Sequence, residues 1–346
     1  MIKILITGNK GYIGVQLSKY LKKKYKKKVY LIGLDLNLFK GCEFHKQNNI
    51  DKQIFADVRK INKKHLKNVD HVVHLAAISN DPMGNLFEKV THDINFKATK
   101  RLAEISNQND IKKFIFASSC SVYGIQGKLK KNENSKLAPL TAYAKSKILS
   151  EKSFDKIDSS KTKYVSLRFA TACGISDMLR LDLVLNDFVT SAKFKKKIEI
   201  LSNGKPWRPL ITVSDMCKAI DWSIFKYDTR KKTSVFNVGS NQWNFQVKDI
   251  AQEVKKIFRD VDIKINNDSP DDKRSYQVDF SKYKKLSKNY YPSLKISDEI
   301  VKLKKMLNNK TNLTNFRSSK YIRLNHLKNL IKKNKISKNI VWKTND

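Results

Sequence analysis

Residues 2–14, IKILITGNKGYIG, leave few folds open to this chain. Ile2, Ile4, Leu5, Ile6 and Thr7 place five apolar or β-branched residues in six positions, the composition of a strand buried on both faces. Gly8, Gly11 and Gly14 follow at three-residue spacing and lead into a helix with Ile13, Leu17 and Leu21 along one face. Strand, glycine turn and helix in that order bind phosphate. Gly8 permits the tight turn, Gly11 lets backbone N–H groups approach a pyrophosphate, and Gly14 lets helix and strand pack closely, with the anion on the helix N-terminus. The spacing G-x-x-G-x-x-G is one residue longer than the usual dinucleotide pattern, and three glycines alone are a weak sign. Context strengthens it. A second strand, Val29 to Leu34, ends in Asp35, 21 residues after Gly14. A carboxylate there can accept hydrogen bonds from an adenosine ribose and repel a 2′-phosphate, which argues for NAD over NADP. No Lys-Ser or Lys-Thr follows the last glycine, which argues against a nucleotide triphosphate loop.

Downstream, strand and helix patterns alternate. QIFADV ends a short strand at Asp57, Asp70 to Ala77 (DHVVHLAA) reads as a buried strand, and Leu86 to Gln108 reads as helix. Ile111 to Ser118 is a strand running into SSCSVYG, a helix begins near Thr141, and Lys163 to Phe169 is a strand. This repetition predicts right-handed crossovers and a parallel sheet, with chemistry at the strand ends. At Thr171 the alternation breaks down. An amphipathic helix is expected over Leu179 to Phe194 and a strand over Ile198 to Leu201. A basic helix is expected over roughly Lys320 to Lys333, with Ile322, Leu327 and Leu330 turned toward the body or a second subunit.

The chain has 346 residues, enough for one large or two medium domains, and a formal net charge of +39. Of its 71 basic residues only 10 are Arg, and the Lys are spread over the whole length, unlike the clustered Arg and aromatics of a nucleic-acid surface. The excess reads as solvated surface Lys. Cys42, Cys120, Cys173 and Cys217 are scattered without metal or disulfide spacing, as in a reducing cytosol. His71 and His74 point to opposite faces of a strand, so no metal site is expected. No apolar run of about 18 residues exists to span a membrane, and the first strand, interrupted by Lys3, leaves no room for a signal peptide; a cytoplasmic protein is expected.

Tyr143 and Lys147 lie four residues apart and so share one helix face, with Ser119 at a strand end upstream. This is a proton-transfer set. A cation near a Tyr lowers its pKa, so Tyr143 beside Lys147 can work as a base while Ser119 holds a substrate hydroxyl.

Together these residues resemble the extended short-chain dehydrogenase/reductase family, in particular its NAD-dependent nucleotide-sugar epimerases and dehydratases. The matching stretches are TGNKGYIG, Asp57-Val58, HLAA at 74–77, Asn95, SSCSVYG at 118–124, YAKSK at 143–147, RFATACG at 168–174, RPLITVSD at 208–215 and FNVG at 236–239. The resemblance implies an α/β fold: a Rossmann doubly wound parallel sheet of seven strands with a smaller mixed α/β substrate domain. It divides the chain into an NAD domain at 1–171 with 209–239 returning to it, a nucleotide-sugar domain at 172–208 and 240–310, and a basic helix and tail at 311–346. It implies cofactor contacts at Gly8, Gly11, Tyr12, Ile13, Gly14, Asp35, Asp57, Val58, Ala76, Ala77, Asn95, Tyr143 and Lys147. Asp57 and Val58 would meet the adenine, and Lys147 the nicotinamide ribose. Substrate contacts follow at Ser119, Asn186, Arg208 and Arg274, the two Arg and the Asn toward a diphosphate. A homodimer built through two helices is implied as well.

Departures from the family pattern narrow the reaction. Where 4,6-dehydratases carry Asp-Glu after the residue matching Ser119, this chain has Cys120 and Ser121. Where 3,5-epimerases carry Cys, it has Ser121, with Cys120 expected on the other face of an extended chain. What remains is oxidation at C4. The expected function is an NAD-dependent nucleotide-sugar epimerase for surface polysaccharide synthesis. The alternatives are a 4-dehydrogenase releasing the keto sugar, a 4,6-dehydratase, or, in a different class, a non-catalytic RNA-binding or scaffold protein, which would have no need of Ser119, Tyr143 and Lys147.

Overall fold

The first strand, β1 (Ile2–Thr7), alternates its side chains between two cores. Ile4 and Ile6 pack with Leu17 and Leu21 of α1 (Gly14–Tyr25) on one face, and Leu5 joins a second core on the other. In the computed structural model, which describes residues 1–45, 49–124, 129–158, 161–268, 275–308 and 313–343, the same division runs through the whole sheet. The chain continues through β2 (Val29–Asp35), β3 (Lys52–Phe55), β4 (His71–His74), α2 (Asp81–Leu86), α3 (Glu88–His92), α4 (Ala98–Gln108), β5 (Lys113–Ser119), α5 (Ala142–Lys156) and β6 (Lys163–Phe169). Then come β7 (Thr171–Cys173), α6 (Val184–Lys195), β8 (Lys197–Ile200), β9 (Trp207–Thr212), α7 (Val213–Phe225), β10 (Thr233–Val238), β11 (Asn244–Gln246) and α8 (Val247–Phe258). The last elements are β12 (Asp262–Ile265), α9 (Ser281–Ser287), α10 (Ile296–Asn308) and α11 (Arg323–Lys332).

Seven strands form one parallel sheet in the order β10-β6-β5-β4-β1-β2-β3. The expected doubly wound sheet is thus present, and its order reverses between β1 and β4, where open α/β sheets leave a crevice at their carboxyl ends. A three-stranded sheet, β11-β9-β7, and a parallel pair, β12-β8, accompany it, so the smaller sheet is mixed. Helices α1 and α7 are tied together by Asp221, which accepts from the hydroxyls of Tyr20 (2.8 Å) and Tyr25 (2.7 Å) and from Lys24 Nζ (2.5 Å). A fully buried carboxylate is tolerable only with such partners.

Three expected elements differ. The strand expected to Ala77 stops at His74, and residues 75–77 bend into the crevice. The helix expected over Leu86 to Gln108 is broken into α3, a π-helical turn at Asp93–Lys97 and α4. The side chain of Asn95, inside that turn, reaches across to both backbone groups of Ile78 (2.8 and 2.9 Å), and such bulges favour sites where a side chain must be aimed. The helix expected from Leu179 begins only at Val184, because Arg180 and Asp182 pair with each other in the preceding loop (2.7 Å).

The basic C-terminal helix, at Arg323–Lys332, lies against the body of this chain. Leu327, Ile336 and Ile340 are buried in the core that holds Leu34 and Val58, and Ile322 and Leu330 are partly buried against the cores. Polar bonds fasten the segment to the loops after β2 and β3. Trp342 Nε1 donates to Leu36 O (2.6 Å), His326 Nε2 contacts Leu38 O (2.9 Å), and Arg59 donates to Asn339 O (3.0 Å) and Ile340 O (3.3 Å).

His74, beneath the turn, is bonded at both ring nitrogens, Nδ1 with Thr7 Oγ1 and Nε2 with Thr99 Oγ1, each at 2.7 Å. Thr99 donates its own proton to Asn95 O (2.7 Å), so Nε2 carries the ring proton and Nδ1 accepts from Thr7. Burial, with the nearby charge of Lys147, lowers the pKa of His74 to about 3 from 6.5. A group that binds its proton less readily folded than unfolded stabilises the fold above its unfolded pKa and loses that contribution as pH falls. The melting temperature of the ligand-free protein should therefore drop between pH 6.5 and about pH 3, measured by calorimetry across that window.

Candidate active site

The turn after β1 is shaped by missing Cβ atoms. Gly8 sits at φ +73°, and a Cβ there would lie 2.7 Å from Ala76 N at the end of β4. At Gly14 a Cβ would lie 2.4 Å from Gly8 O, so α1 could not approach the strand. Gly11 is less confined, its nearest neighbour 3.1 Å away. Among the described residues no side chain caps α1, and although Val15 N donates to Gly11 O (3.2 Å) the helix start is otherwise open to a ligand. Asp35 lies nearby with its carboxylate oriented by Lys10 N (3.0 Å) and Asn37 N (2.7 Å). A narrow backbone cradle, an uncapped helix start and an aimed carboxylate fit the diphosphate and ribose of a dinucleotide.

These groups open into one cleft of about 570 Å³, within the usual size of ligand sites. Gly8, Gly11, Tyr12, Ile13, Gly14, Asp35, Asp57, Val58, Ala76, Ala77, Ser119, Tyr143, Lys147 and Arg208 all line it. The carboxylate of Asp57 is already forked onto Arg59, at 3.0 Å to Nε and 2.6 Å to Nη2. Two expected contacts lie behind the wall. Asn95 holds Ile78 and Ser146, and Asn186 is bonded to Gly174 N, Tyr12 Oη and Arg180 O, so each shapes the lining from inside. Arg274 falls outside the described residues.

At the sheet end Ser119, Tyr143 and Lys147 converge. Thr141 caps α5 through Ala144 N (3.2 Å) and donates to Asp81 (2.6 Å), which fixes the turn carrying Tyr143. Ser119 Oγ accepts from Ser121 N (3.1 Å), and its hydroxyl acts on the neighbouring Tyr143 phenol to favour the ionised form. Lys147 Nζ donates to Ala117 O (2.7 Å) and stands 5.5 Å from the Tyr143 ring centre. The expected lowering of Tyr143 by Lys147 is absent from the ligand-free cleft: burial pushes Tyr143 up to about 12, against a downward pull from Ser119. Burial also draws Lys147 down to about 7, so it is a weak source of positive charge there.

Cys120 is turned away from the cleft. Its thiol donates to Arg168 O (3.1 Å). The chain turns here into a short 3-10 helix, Cys120–Tyr123, so the outward turn of Cys120 comes from helical winding and not from an extended strand. Behind Ser119, Ser118 donates to Glu151 (2.5 Å), and Glu151 forks onto Arg168 (2.7 and 3.1 Å) with both residues buried. Glu151 thus ties α5 to the ends of both β5 and β6.

Sequence reasoning missed Ser79, Arg180, Asp182, Tyr276 and Arg323, which also line the cleft. Arg180 donates to Ser79 Oγ (3.1 Å) as well as to Asp182. The sign was available: a cation and an anion two residues apart inside the apolar run LRLDLVL do not suit the buried face of a helix.

Residues 4–239 match the NAD dependent epimerase/dehydratase family. An uncharacterized UDP-glucose epimerase of Bacillus subtilis is 32% identical over 236 residues, covering 63% of this chain and 71% of the relative. A dTDP-D-glucose 4,6-dehydratase of Dictyostelium discoideum is 29% identical over 74% of this chain and 62% of its own length. Among solved structures, a UDP-N-acetylglucosamine 4-epimerase from Methanobrevibacter ruminantium superposes with a TM-score of 0.77 at 22% identity, covering 90% of this chain and 99% of that one, a likeness of fold. The chain belongs to the NAD dependent epimerase/dehydratase family, and its cofactor is NAD. No helix among the described residues is long and apolar enough to cross a membrane.

Two tests follow from this geometry. Glu151→Ala strands a buried guanidinium and should cost about 3–5 kcal/mol of stability in denaturant melts. Titration should find NADP at least about 10-fold weaker than NAD, and Asp35→Ala should narrow that ratio by relieving repulsion of the 2′-phosphate.

Proposed function

We propose that this protein is an NAD-dependent nucleotide-sugar 4-epimerase. The observation that carries the reading is the meeting of Ser119, Tyr143 and Lys147 in the cleft that begins at the glycine turn, with no carboxyl group at positions 120 and 121. Gly8, Gly11, Gly14, Asp35, Val58, Ala76, Ala77 and Lys147 would hold the cofactor. Bound NAD supplies a reversible acceptor for the hydrogen on C4 of the sugar and brings a cationic ring to the site.

Tyr143 takes the proton of the 4-hydroxyl and returns it. Ser119 donates a hydrogen bond that stabilises the phenolate and orients the sugar oxygen. Lys147 stays within reach of the phenol, and cofactor charge must offset the burial that otherwise holds the Tyr proton in place. Arg208 faces the diphosphate of the substrate from β9. Without an acid and base next to Ser119, water is not eliminated from the intermediate ketone, which opposes the dehydratase chemistry of the Dictyostelium relative. With this reading goes the division into an NAD domain at 1–171 and 209–239 and a nucleotide-sugar domain at 172–208 and 240–310.

UDP-glucose, named for the Bacillus relative, is the first substrate to try, followed by other UDP-, GDP-, CDP- and dTDP-sugars. Product analysis should show a 4-epimer without accumulation of reduced cofactor. A released keto sugar with stoichiometric reduced cofactor would make the enzyme a dehydrogenase, and a dehydrated sugar would make it a dehydratase. Tyr143→Phe should fold and bind NAD normally while turnover falls about 10²- to 10⁴-fold. Near-normal turnover in that variant would overturn the assignment of the base.

A further inference from the structure

Arg323 is the first residue of α11, and it is 2% exposed although it carries a full charge. Three other Arg side chains in or beside the cleft have carboxylate partners: Arg59 with Asp57, Arg168 with Glu151, and Arg180 with Asp182. No such partner is found for Arg323 among the described residues. Its Nη2 donates to Met178 O (3.0 Å), the guanidinium carbon lies 4.2 Å from the centre of the Phe39 ring, and the Cys42 thiol is a further polar neighbour. Its Nη1 is shielded from water and has no acceptor among the described residues. A buried guanidinium with no carboxylate in direct contact and an idle N–H is costly, and an anion placed beside it offsets that cost.

The position of this cation says which anion. Arg323 lines the cleft with its neighbours Ile322 and Leu324. Its charge acts on Asp35 and also on Arg180 and Asp182. Asp35 marks the adenosine ribose, and Arg180 neighbours Tyr143 at the reacting end. Between those two ends a dinucleotide carries its diphosphate, and there the uncapped start of α1 also faces the cleft.

We propose that Arg323, delivered by the C-terminal segment, is a ligand of the cofactor diphosphate opposite the glycine turn. The proposal rests on the cofactor reading of the cleft. It gives the C-terminal segment a direct part in holding NAD: the segment that covers the adenosine end through Leu327 and Ile340 also supplies charge to the phosphates. The planar fork suits phosphate oxygens better than an ammonium does, so a Lys at this position is a partial substitute.

The test compares wild type, Arg323→Gln and Arg323→Lys by titration with NAD and ADP-ribose, which carry the diphosphate, and with adenosine, which does not. Arg323→Gln should weaken NAD and ADP-ribose about 10- to 100-fold and leave adenosine within about twofold, with Arg323→Lys in between. Unchanged NAD affinity in Arg323→Gln would overturn the assignment. So would an equal loss for adenosine, which would mean that Arg323 only packs the segment in place. Loss confined to NADP would overturn it too, since the contact would then be to a 2′-phosphate. If wild type itself binds neither NAD nor ADP-ribose, the cofactor reading fails and the assignment with it. Should Arg323→Gln fail to fold, Arg323→Lys carries the comparison, with unchanged NAD affinity across a range of salt counting against a phosphate contact.

Discussion

The close approach of three backbone segments at Gly8 and Gly14 is the contact on which the cleft depends. A single methyl group at Gly14 would press against Gly8 O, and one at Gly8 would press against the backbone that leaves β4. Because those segments touch, the start of α1 faces the same space as residues 75–77, and the strand-order reversal becomes a binding crevice. Beneath this contact His74 joins β1 to α4 through Thr7 and Thr99, and Asn95 ties the loop after β4 to α5. The polar core under the turn is thus continuous with the helix that presents Tyr143 and Lys147.

Much of this was legible in the residues. The glycine turn and Asp35 stand out because their chemistry is local: a turn, a strand end and a spacing are visible without the fold. Tyr143 and Lys147 were legible for the same reason, since four residues on a helix set a shared face. Strand β6 coincides with the short apolar run expected as a strand over Lys163 to Phe169. The misreadings concern competition between local pattern and distant partners. Leu179 to Leu183 has helical periodicity, yet Arg180 pairs with Asp182 and Ser79 instead. Asn95 and Asn186 carry family motifs, yet they support the cleft from behind by bonding backbone groups, a role that residue identity alone does not separate from ligand contact.

Arg323 was invisible for a different reason. It sits 288 residues from Asp35 in sequence and inside a segment whose dominant feature is its Lys content, so nothing local distinguishes it from a solvated cation. Only the packing of Leu327 and Ile340 over the cleft turns it inward. The expectation that the basic tail is mostly surface charge holds for many of its Lys, which are exposed, and fails for this Arg.

The burial of Lys147 also bears on the chemical reactivity of the chain. This protein has dozens of lysines, most of them on the surface. Lys147 differs from them, because desolvation draws its pKa down to about 7 and so favours the free amine. A carbonyl or activated ester small enough to enter the cleft would meet there an amine whose burial favours its neutral, nucleophilic form. Selective acylation would then report on the cleft from a background of otherwise similar side chains.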